Sequence, residues 1–312
     1  MHMIILDDVT KTYPNRNRPA IDHLSLHIEP KEFVFLIGKS GAGKSTLIKL
    51  LTREIMPDSG RIIVGGIDYS QLKRRHIPYL RRRIGVVFQD YKLLPGRTVF
   101  ENVAFALEIV GASNHEIKRN VPKVLELVGL ADKGDEFPDN LSGGERQRVS
   151  IARSMVRQPK ILVADEPTGN LDPDIGLDIV NLLEEINRYG TTVLVTTHDE
   201  KVVNRLKRRV ITLEHGRLIG DQKDGGRYDL EAMSSKIIKH PLSATAAAST
   251  KTPPRMARLA NTYAAGSNNP RPAPKPRFSN TMTASRRSPA PTRRRATTSP
   301  SSRTKNTKLK RV

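Results

Sequence analysis

The most constraining feature of the sequence is a glycine-rich loop at residues 38–45, which reads GKSGAGKS. The loop fits the pattern G-x-x-x-x-G-K-S and stands between an apolar run, residues 33–37, and a helical pattern that begins at Lys44. Glycines let consecutive backbone N–H groups turn toward a phosphate, and the helix start adds its positive end. Lys44 is then expected to reach the β- and γ-phosphates, and the Ser45 hydroxyl to ligate Mg²⁺. The loop therefore predicts nucleotide binding.

Charge is distributed very unevenly along the 312 residues. The net charge is +21, but residues 243–312 contain 16 basic residues and no acidic one. The preceding part of the chain has 37 basic and 32 acidic residues, a balance of only +5. This distribution excludes a basic nucleic-acid-binding domain over the whole chain, because the excess charge belongs to a tail.

Several protein classes are excluded by what the sequence lacks. It contains no cysteine, which rules out disulfides, thiolate zinc sites and cysteine nucleophiles. No apolar run approaches the ~18 residues that a membrane span needs. The N-terminus has neither the basic start nor the apolar stretch of a signal peptide. We therefore expect a soluble cytoplasmic protein, so that another chain would have to provide any membrane spans.

Strand and helix patterns alternate before the tail. Residues 4–9 and 24–28 alternate apolar and polar side chains, and continuous apolar runs lie at 33–37, 161–164 and 193–195. Helical patterns occur at residues 44–53, 121–128, 145–157 and 175–188. This order predicts an α/β fold with a mainly parallel sheet core and an inserted helical subdomain over roughly 91–157.

Two carboxylates, Asp165 and Glu166, follow the apolar run at 161–164. The carboxyl ends of parallel strands are where such sheets bind their ligands. Asp165 suits a water-mediated Mg²⁺ position, and Glu166 suits a residue that orients or deprotonates an attacking water. Without the phosphate loop, the same pair would be equally consistent with a solvated strand end.

Residues 141–145, LSGGE, have two interpretations. Ser142 followed by Glu145 is a capping box, with which many helices begin. The two glycines also expose backbone donors at that helix start, which makes a second anion site. One chain cannot easily use two phosphate sites for one nucleotide, whereas two chains facing head to tail can.

With these residues the chain resembles the ABC ATPases, whose signature motif matches residues 141–145. Tyr13 matches the aromatic residue that stacks on adenine, and Gln89 matches the Q-loop glutamine. Residues 170–172, NLD, resemble the D-loop, and His198 matches the switch histidine. The resemblance covers roughly residues 2–222. It implies a P-loop NTPase fold of ABC type, in which an antiparallel β subdomain accompanies the mainly parallel core, together with ATP hydrolysis and a nucleotide-sandwich homodimer in the ATP state.

The resemblance also implies the site residues. ATP would contact Tyr13, Gly38, Lys39, Ser40, Gly41, Ala42, Gly43, Lys44, Ser45, Thr46 and Gln89. The signature residues of the second copy, Ser142, Gly143, Gly144 and Glu145, would cover the same nucleotide. Mg²⁺ would be held by Ser45, Gln89 and Asp165. Catalysis would depend on Lys44, Glu166 and His198, with Asp172 in the D-loop.

The stretches at residues 77–94 and 98–104 are the most discriminating, and they resemble the cell-division branch of the family. That branch implies an FtsX-like membrane permease as partner, the control of a peptidoglycan hydrolase, and a peripheral position on the cytoplasmic side of the cell membrane at the division site. Apolar residues around and after the Q-loop would receive the permease: Tyr91, Leu93, Leu94, Phe100 and Phe105. The alternatives are an ATPase of a lipoprotein-release or macrolide-type exporter, and an ATP-regulated nucleic-acid-associated protein.

The tail departs from the usual length of this branch. Beyond about residue 242, Ser, Thr, Ala and Pro dominate, and such a segment cannot bury enough apolar surface to offset its ordering entropy. We predict an ABC ATPase domain over 1–228, a linker over 229–242 and a disordered basic tail over 243–312. The tail is interpreted as inert, as a contact to anionic lipid beside the permease, or as a salt-dependent nucleic-acid contact. Its position outside the motif-bearing domain argues against nucleic acid as the main partner.

Overall fold

The computed structural model describes residues 2–14, 16–223 and 225–230. The chain divides into two units, Met1–Ala246 and Ala247–Val312, and all described residues belong to the first. The predicted basic tail and all but the start of the predicted linker lie outside the described residues. The predicted domain limits therefore remain predictions.

A four-stranded antiparallel sheet forms the front of the molecule. It consists of β1 (Ile4–Lys11), β2 (Ile21–Ile28), β4 (Ser59–Val64) and β5 (Ile67–Asp68), in the order β2-β1-β4-β5. In β2 the apolar side chains of Leu24, Leu26 and Ile28 are buried and the polar ones between them are exposed. This alternation confirms the antiparallel β subdomain.

The central sheet has six strands. They are β3 (Phe33–Ile37), β6 (Ile84–Val87), β7 (Ile161–Asp165), β8 (Thr192–Thr196), β9 (Arg209–Glu214) and β10 (Arg217–Gln222), in the order β10-β9-β3-β8-β7-β6. Only the β9–β10 pair is antiparallel among them. Every residue of β3 is buried, as its continuous apolar run predicts for a strand covered on both faces. The mainly parallel core is therefore confirmed.

Seven α-helices surround these sheets in the described part of the chain. They are α1 (Lys44–Leu51), α2 (Ile77–Arg81), α3 (Val99–Glu108), α4 (Asn114–Leu127), α5 (Gly143–Met155), α6 (Pro173–Arg188) and α7 (Glu200–Leu206). Helices α3, α4 and α5 lie between β6 and β7 and pack on one another, which confirms an inserted helical region. None of the helices in the described ranges is both long and apolar enough to cross a membrane.

The fold places the carboxyl ends of β3, β7 and β8 at one edge of the central sheet, because these strands are neighbours and parallel. The phosphate loop follows β3, the two carboxylates end β7, and His198 follows β8. Three motifs that are far apart in the sequence therefore converge on one edge.

Candidate nucleotide site

The phosphate loop connects the end of β3 to the start of α1. Its glycines leave room for close backbone approach: a Cβ on Gly38 would lie 2.4 Å from the carbonyl oxygen of Leu213, and one on Gly43 2.5 Å from that of Ala20. Gly43 also has a φ of 111°, a conformation that side-chain-bearing residues rarely adopt. The buried Lys44 Nζ donates to the Gly38 carbonyl at 2.7 Å, which closes the loop around the ammonium group.

The start of α1 is open toward the pocket. Its N-cap residue is Gly43, which has no side chain to cap the first turn, and that turn contains no acidic residue. Helices α3, α4 and α5 instead begin with complete capping boxes. The uncapped N–H groups and the positive end of the helix dipole make the start of α1 suitable for an anion. The triphosphate of ATP therefore fits the residues that are present.

Glu166 comes directly after β7, with a φ of 47°. Left-handed backbone at a non-glycine residue costs of order 1–3 kcal/mol and persists only where the surroundings enforce it. Here Glu166 N donates to both the main-chain oxygen of Thr196, at 3.1 Å, and its Oγ1, at 2.9 Å. The same Thr196 hydroxyl donates to Asp165 Oδ1 at 2.7 Å. One threonine of β8 thus fixes the Asp165 carboxylate and the main chain of Glu166.

The Glu166 carboxylate lies between two basic side chains. Its Oε1 is 4.0 Å from Lys44 Nζ, and its Oε2 is 3.4 Å from His198 Nδ1. The Lys44 side chain is buried, whereas that of His198 is 65% exposed. A carboxylate held at a pocket wall beside an imidazole is placed to accept a hydrogen bond from a water or to take its proton.

These groups line one pocket. The predicted residues in its lining are Tyr13, Gly38, Lys39, Ser40, Gly41, Ala42, Gly43, Lys44, Ser45, Thr46, Glu166 and His198. The pocket also contains residues that sequence reasoning missed: Arg16, Ala20, Lys49, Tyr228 and Leu230. The phosphate-loop motif does not extend to Arg16 or Lys49, and no motif marks Tyr228 or Leu230, which come from the end of the described chain.

Two predicted Mg²⁺ ligands lie outside this lining. Among the described residues around the pocket, neither Gln89 nor Asp165 belongs to its wall. Gln89 follows β6, and its carbonyl oxygen accepts from Asn170 Nδ2 at 3.1 Å. Asp172 is the N-cap residue of α6, without a side-chain capping bond. The structure thus attaches the Q-loop to the D-loop, while the Mg²⁺ roles remain predictions.

The described residues contain no group of three or more His, Cys, Asp or Glu side chains arranged to hold a metal ion. Mg²⁺ bound with a nucleotide usually keeps several waters and takes one or two protein ligands beside the phosphate oxygens. Ser45 is exposed to the pocket at the start of α1, and Asp165 is fixed by Thr196 nearby in the sheet. Both therefore suit a nucleotide-borne Mg²⁺ better than an independent metal centre.

The predicted signature residues form the start of α5. Ser142 Oγ accepts from Glu145 N at 3.2 Å, and Glu145 Oε2 accepts from Ser142 N at 2.8 Å, which completes a capping box. The hydrogen bonds from Ser142 are the main cause of a lowered pKa of the Glu145 carboxyl. A Cβ on Gly144 would lie 2.6 Å from Ile175 Cγ2 on α6, so this glycine allows the two helices to meet. The capping interpretation and the second anion site are therefore compatible.

The segment after Gln89 divides into two parts. Leu94 and Phe105 line a surface groove together with Phe88 and Ile109, and its basic rim consists of Arg82, Arg153 and Arg157. Leu93 and Phe100 instead pack against the core. Arg146, on the helix that carries the signature residues, has its guanidinium carbon 5.6 Å from the centroid of the Tyr91 ring. Only part of the apolar set predicted to receive a permease is therefore available on this surface.

Helix α5 connects this groove to the signature residues. Near its C-terminal end, Arg153 donates to the carbonyl oxygens of Tyr91 and Lys92, at 2.8 and 2.6 Å. Burial lowers the pKa of the Arg153 guanidinium. The groove lies at the C-terminal end of α5, and residues 142–145 form its N-terminal end. Helix α5 is therefore a rigid element between the two.

Comparison with known proteins shows what this chain is similar to. A sequence profile of the ABC transporter family matches residues 21–169. The cell division ATP-binding protein FtsE of Bacillus subtilis is 52% identical over 229 residues, which cover 73% of this chain and 100% of that protein. FtsE of Mycobacterium tuberculosis is 53% identical over 223 residues, which cover 72% and 97%.

Solved structures show the same fold. An ATP-binding cassette in a dimeric post-hydrolysis state, bound to ADP and Pi, matches with a TM-score of 0.64 and 35% sequence identity. The match covers 71% of this chain and 98% of that cassette.

Proposed function

Because the chain belongs to the ABC ATPase family, in the branch of the cell division proteins called FtsE, we propose that it is the ATP-hydrolysing subunit of a membrane complex that drives cell division. Its reaction is the hydrolysis of ATP to ADP and phosphate. In the proposed complex it pairs with a separate FtsX-like permease on the cytoplasmic side of the cell membrane, at the division site. ATP-dependent closure of a homodimer there regulates peptidoglycan hydrolysis.

The observation that carries the proposal is that the chain has two phosphate-binding elements that do not meet. The pocket is lined by residues 38–45, Glu166 and His198, whereas residues 142–145 contribute nothing to it in the described structure. A second copy facing head to tail would place its own α5 start over this pocket. The phosphate charges of one ATP would then be shared by backbone N–H groups from both copies. Dimer closure would require ATP, and hydrolysis would release it.

Within each pocket we assign the roles by chemistry. Tyr13 stacks on the adenine, and Lys44 neutralises the β- and γ-phosphates. Glu166 orients or deprotonates the attacking water, because it is the carboxylate that faces the pocket. His198, 3.4 Å from Glu166, is placed to donate to the γ-phosphate while keeping Glu166 in position. The Mg²⁺ that accompanies ATP would be held by Ser45, Gln89 and Asp165, and it supplies charge neutralisation at the phosphates.

The groove beside α5 is the proposed contact for the permease. Its apolar lining and arginine rim suit a short helix with apolar side chains and at least one acidic residue. Burial and the nearby Arg82 lower the pKa of the Arg157 guanidinium. No acidic residue of the described chain lines the groove, so the lining offers no anion to match this positive charge. An acidic group from the permease would supply that anion, and Arg153 would pass its movement to α5.

For residues 243–312 we propose contact with anionic lipid beside the permease. The sequence there has 16 basic residues and no acidic one, and each basic residue near an anionic surface contributes roughly 1 kcal/mol. Deleting these residues should reduce sedimentation with anionic vesicles at low salt. Unchanged sedimentation would exclude this contact.

The proposed function is tested by affinity purification of Glu166→Gln from membranes, with and without ATP. This variant should form a stable ATP-bound dimer with little turnover, and in ATP it should retain a permease together with division proteins or cell-wall hydrolases. Glu126→Gln, an exposed substitution on α4, is the charge-matched control and should behave as the unmodified chain. A permease that brings exported substrates or periplasmic adaptors would identify an exporter instead, and recovery of nucleic acid alone would exclude both.

The groove is tested separately with Ile109→Asp. Ile109 is 65% exposed on the groove, so its replacement should leave folding and basal hydrolysis unchanged while it abolishes permease retention. Tyr189→Asp is the matched control, since Tyr189 is 74% exposed and lies at the end of α6, away from the groove. Retention of the permease by Ile109→Asp would show that the permease binds elsewhere.

A further inference from the structure

The end of the described chain returns to the nucleotide pocket. After β10, residues 225–230 run back across the molecule, and two of them, Tyr228 and Leu230, line the same pocket as Glu166 and His198. The predicted motifs account for Lys44, Glu166 and His198 in this lining, but not for Tyr228 or Leu230. We name residues 225–230 the strap.

Several contacts hold the strap in place. Gln222 Nε2 donates to the Arg227 carbonyl at 3.3 Å, and Arg227 N donates to Gln222 Oε1 at 2.9 Å. Tyr228 N donates to Asn204 Oδ1 on α7 at 3.0 Å. Gly226 is buried, and a Cβ there would lie 2.5 Å from Val210 Cγ2 and 2.7 Å from the Arg208 carbonyl oxygen. The strap is therefore held by hydrogen bonds at Arg227 and Tyr228. At Gly226 it passes a point where only glycine fits.

The two side chains are partly buried and apolar where they meet the domain. Tyr228 and Leu230 pack against the main core cluster. Burial raises the pKa of the Tyr228 phenol, and the negative charges of Glu200 and Glu166 raise it further. Tyr228 is therefore a neutral phenol whose partly buried aromatic ring forms part of the pocket wall.

Tyr228 and Leu230 line the same pocket as His198, which has fewer polar contacts in the described structure than its partner Glu166. His198 is 65% exposed, and its Nδ1 lies 3.4 Å from Glu166 Oε2. An exposed imidazole on a loop has several rotamers, each of which competes with the orientation that faces Glu166. Tyr228 and Leu230 belong to the same pocket lining as His198, where their bulk can limit that freedom.

We propose that Tyr228 is a positioning residue for ATP hydrolysis, which the strap holds at the pocket wall so that Glu166 and His198 keep their productive arrangement. The proposal rests on the proposed roles of Glu166 and His198. It assigns no chemical step to Tyr228 itself, because its ring shapes the wall and its hydroxyl does not need to transfer a proton.

The test compares Tyr228→Ala with Tyr228→Phe in the full chain, by single-turnover hydrolysis of ATP with Mg²⁺ and by steady-state kcat and KM. Tyr228→Ala should lower the single-turnover rate and kcat about tenfold, which corresponds to ~1.4 kcal/mol, and should leave KM within about twofold. Tyr228→Phe keeps the ring and should restore at least half of the rate. Arg227→Ala, an exposed neighbour on the strap, should match the unmodified chain.

A second variant moves the strap without touching the pocket. Gly226→Ala places a Cβ against Val210 and Arg208 and should lower kcat in the same manner as Tyr228→Ala, with unchanged KM. Thermal unfolding of each variant shows whether the domain is folded. A folded Tyr228→Ala or Gly226→Ala chain with unchanged kcat would overturn the proposal, and so would an equal loss in Tyr228→Phe.

The two proposals fail in different ways. Glu166→Gln and His198→Ala test the catalytic pair, and normal hydrolysis in both would overturn the proposed roles themselves. If these two variants lose hydrolysis while Tyr228→Ala keeps it, only the role of the strap is wrong.

Discussion

The starts of α1 and α5 are both proposed to bind phosphate, but their backbone N–H groups are satisfied differently. At α1, Gly43 is a left-handed N-cap without a side-chain acceptor, and Lys44 is buried behind it. At α5, Ser142 and Glu145 satisfy each other's backbone N–H groups through their side chains. Helix α1 therefore depends on phosphate for its donors, whereas α5 is complete as a helix and offers only the N–H groups of its two glycines.

The two helix starts are needed at different stages of the proposed cycle. A self-capped α5 can stay folded on the surface while the dimer is open, because it leaves few donors without partners. In the proposed cycle, the start of α1 binds ATP first. The start of α5 from a second copy then binds to that ATP. We expect ATP affinity to depend on the start of α1 and not on the start of α5. Turnover should depend on both helix starts.

The largest expected effect is at α1. Lys44→Ala removes the ammonium that the loop encloses at 2.7 Å from Gly38 O, and hydrolysis should fall by about 10²–10³-fold, as when one preorganised donor is lost. Nucleotide binding, followed by titration calorimetry, should weaken in parallel. Lys123→Ala on the exposed face of α4 should change neither quantity. Normal ATP affinity in Lys44→Ala would show that the loop does not bind the phosphates.

The next effect separates the two sites. Gly144→Ala places a Cβ 2.6 Å from Ile175 Cγ2, so the Ile175 side chain or one of the two helix starts must shift. Turnover should fall about tenfold, or ~1.4 kcal/mol, while ATP affinity of the isolated subunit stays unchanged. Gly134→Ala is the control, since a Cβ there makes only an ordinary contact of 3.9 Å with Leu125. A loss of ATP affinity in Gly144→Ala would contradict the separation.

How far the sequence predicts this arrangement depends on where the signal lies. The loop between β3 and α1 is predictable because a buried apolar run, a fixed glycine pattern and a helix start occur within one short stretch. The same holds for the start of α5, whose capping box is contained in residues 142–145. Strand β10 carries no such signal: its residues are partly or fully exposed, and pairing with β9 keeps it in the sheet.

The catalytic wall is harder to predict because it is assembled from distant parts of the chain. Thr196 orients Asp165 and Glu166 only because β7 and β8 are parallel neighbours in register. The left-handed turn at Glu166 depends on those bonds and not on its own residue type. Tyr228 reaches the pocket through contacts with α7 and β9 that leave no periodic pattern.

A smaller effect tests whether a cap serves the helix or the nucleotide. Ser142→Ala and Ser113→Ala each remove the N-cap of a capping box with matching bond lengths, at α5 and α4. Each should reduce the free energy of unfolding by about 1 kcal/mol, measured by urea denaturation. Turnover should fall only in Ser142→Ala, because only α5 is proposed to contact ATP. An equal loss of turnover in both variants would mean that the α5 start has no special role.

The smallest effect concerns the glutamates of the same two boxes. Hydrogen bonds from Ser142 lower the pKa of Glu145, and those from Ser113 lower that of Glu116. A lowered folded-state pKa stabilises the fold fully above the unfolded value, about 4.3, and that stabilisation is lost as the pH falls through the folded value. Glu145→Gln and Glu116→Gln should therefore melt below the unmodified chain at pH 7, and both differences should shrink below about pH 4.

The two glutamates should differ once the dimer forms. With ATP and Mg²⁺ at pH 7, the melting difference of Glu145→Gln should change, because Glu145 then lies at the nucleotide shared by two copies. That of Glu116→Gln should stay constant, because α4 contributes nothing to the pocket lining in the described residues. If ATP leaves both differences unaltered, α5 is capped in the same way as α4 and the contrast with α1 reflects helix stability alone.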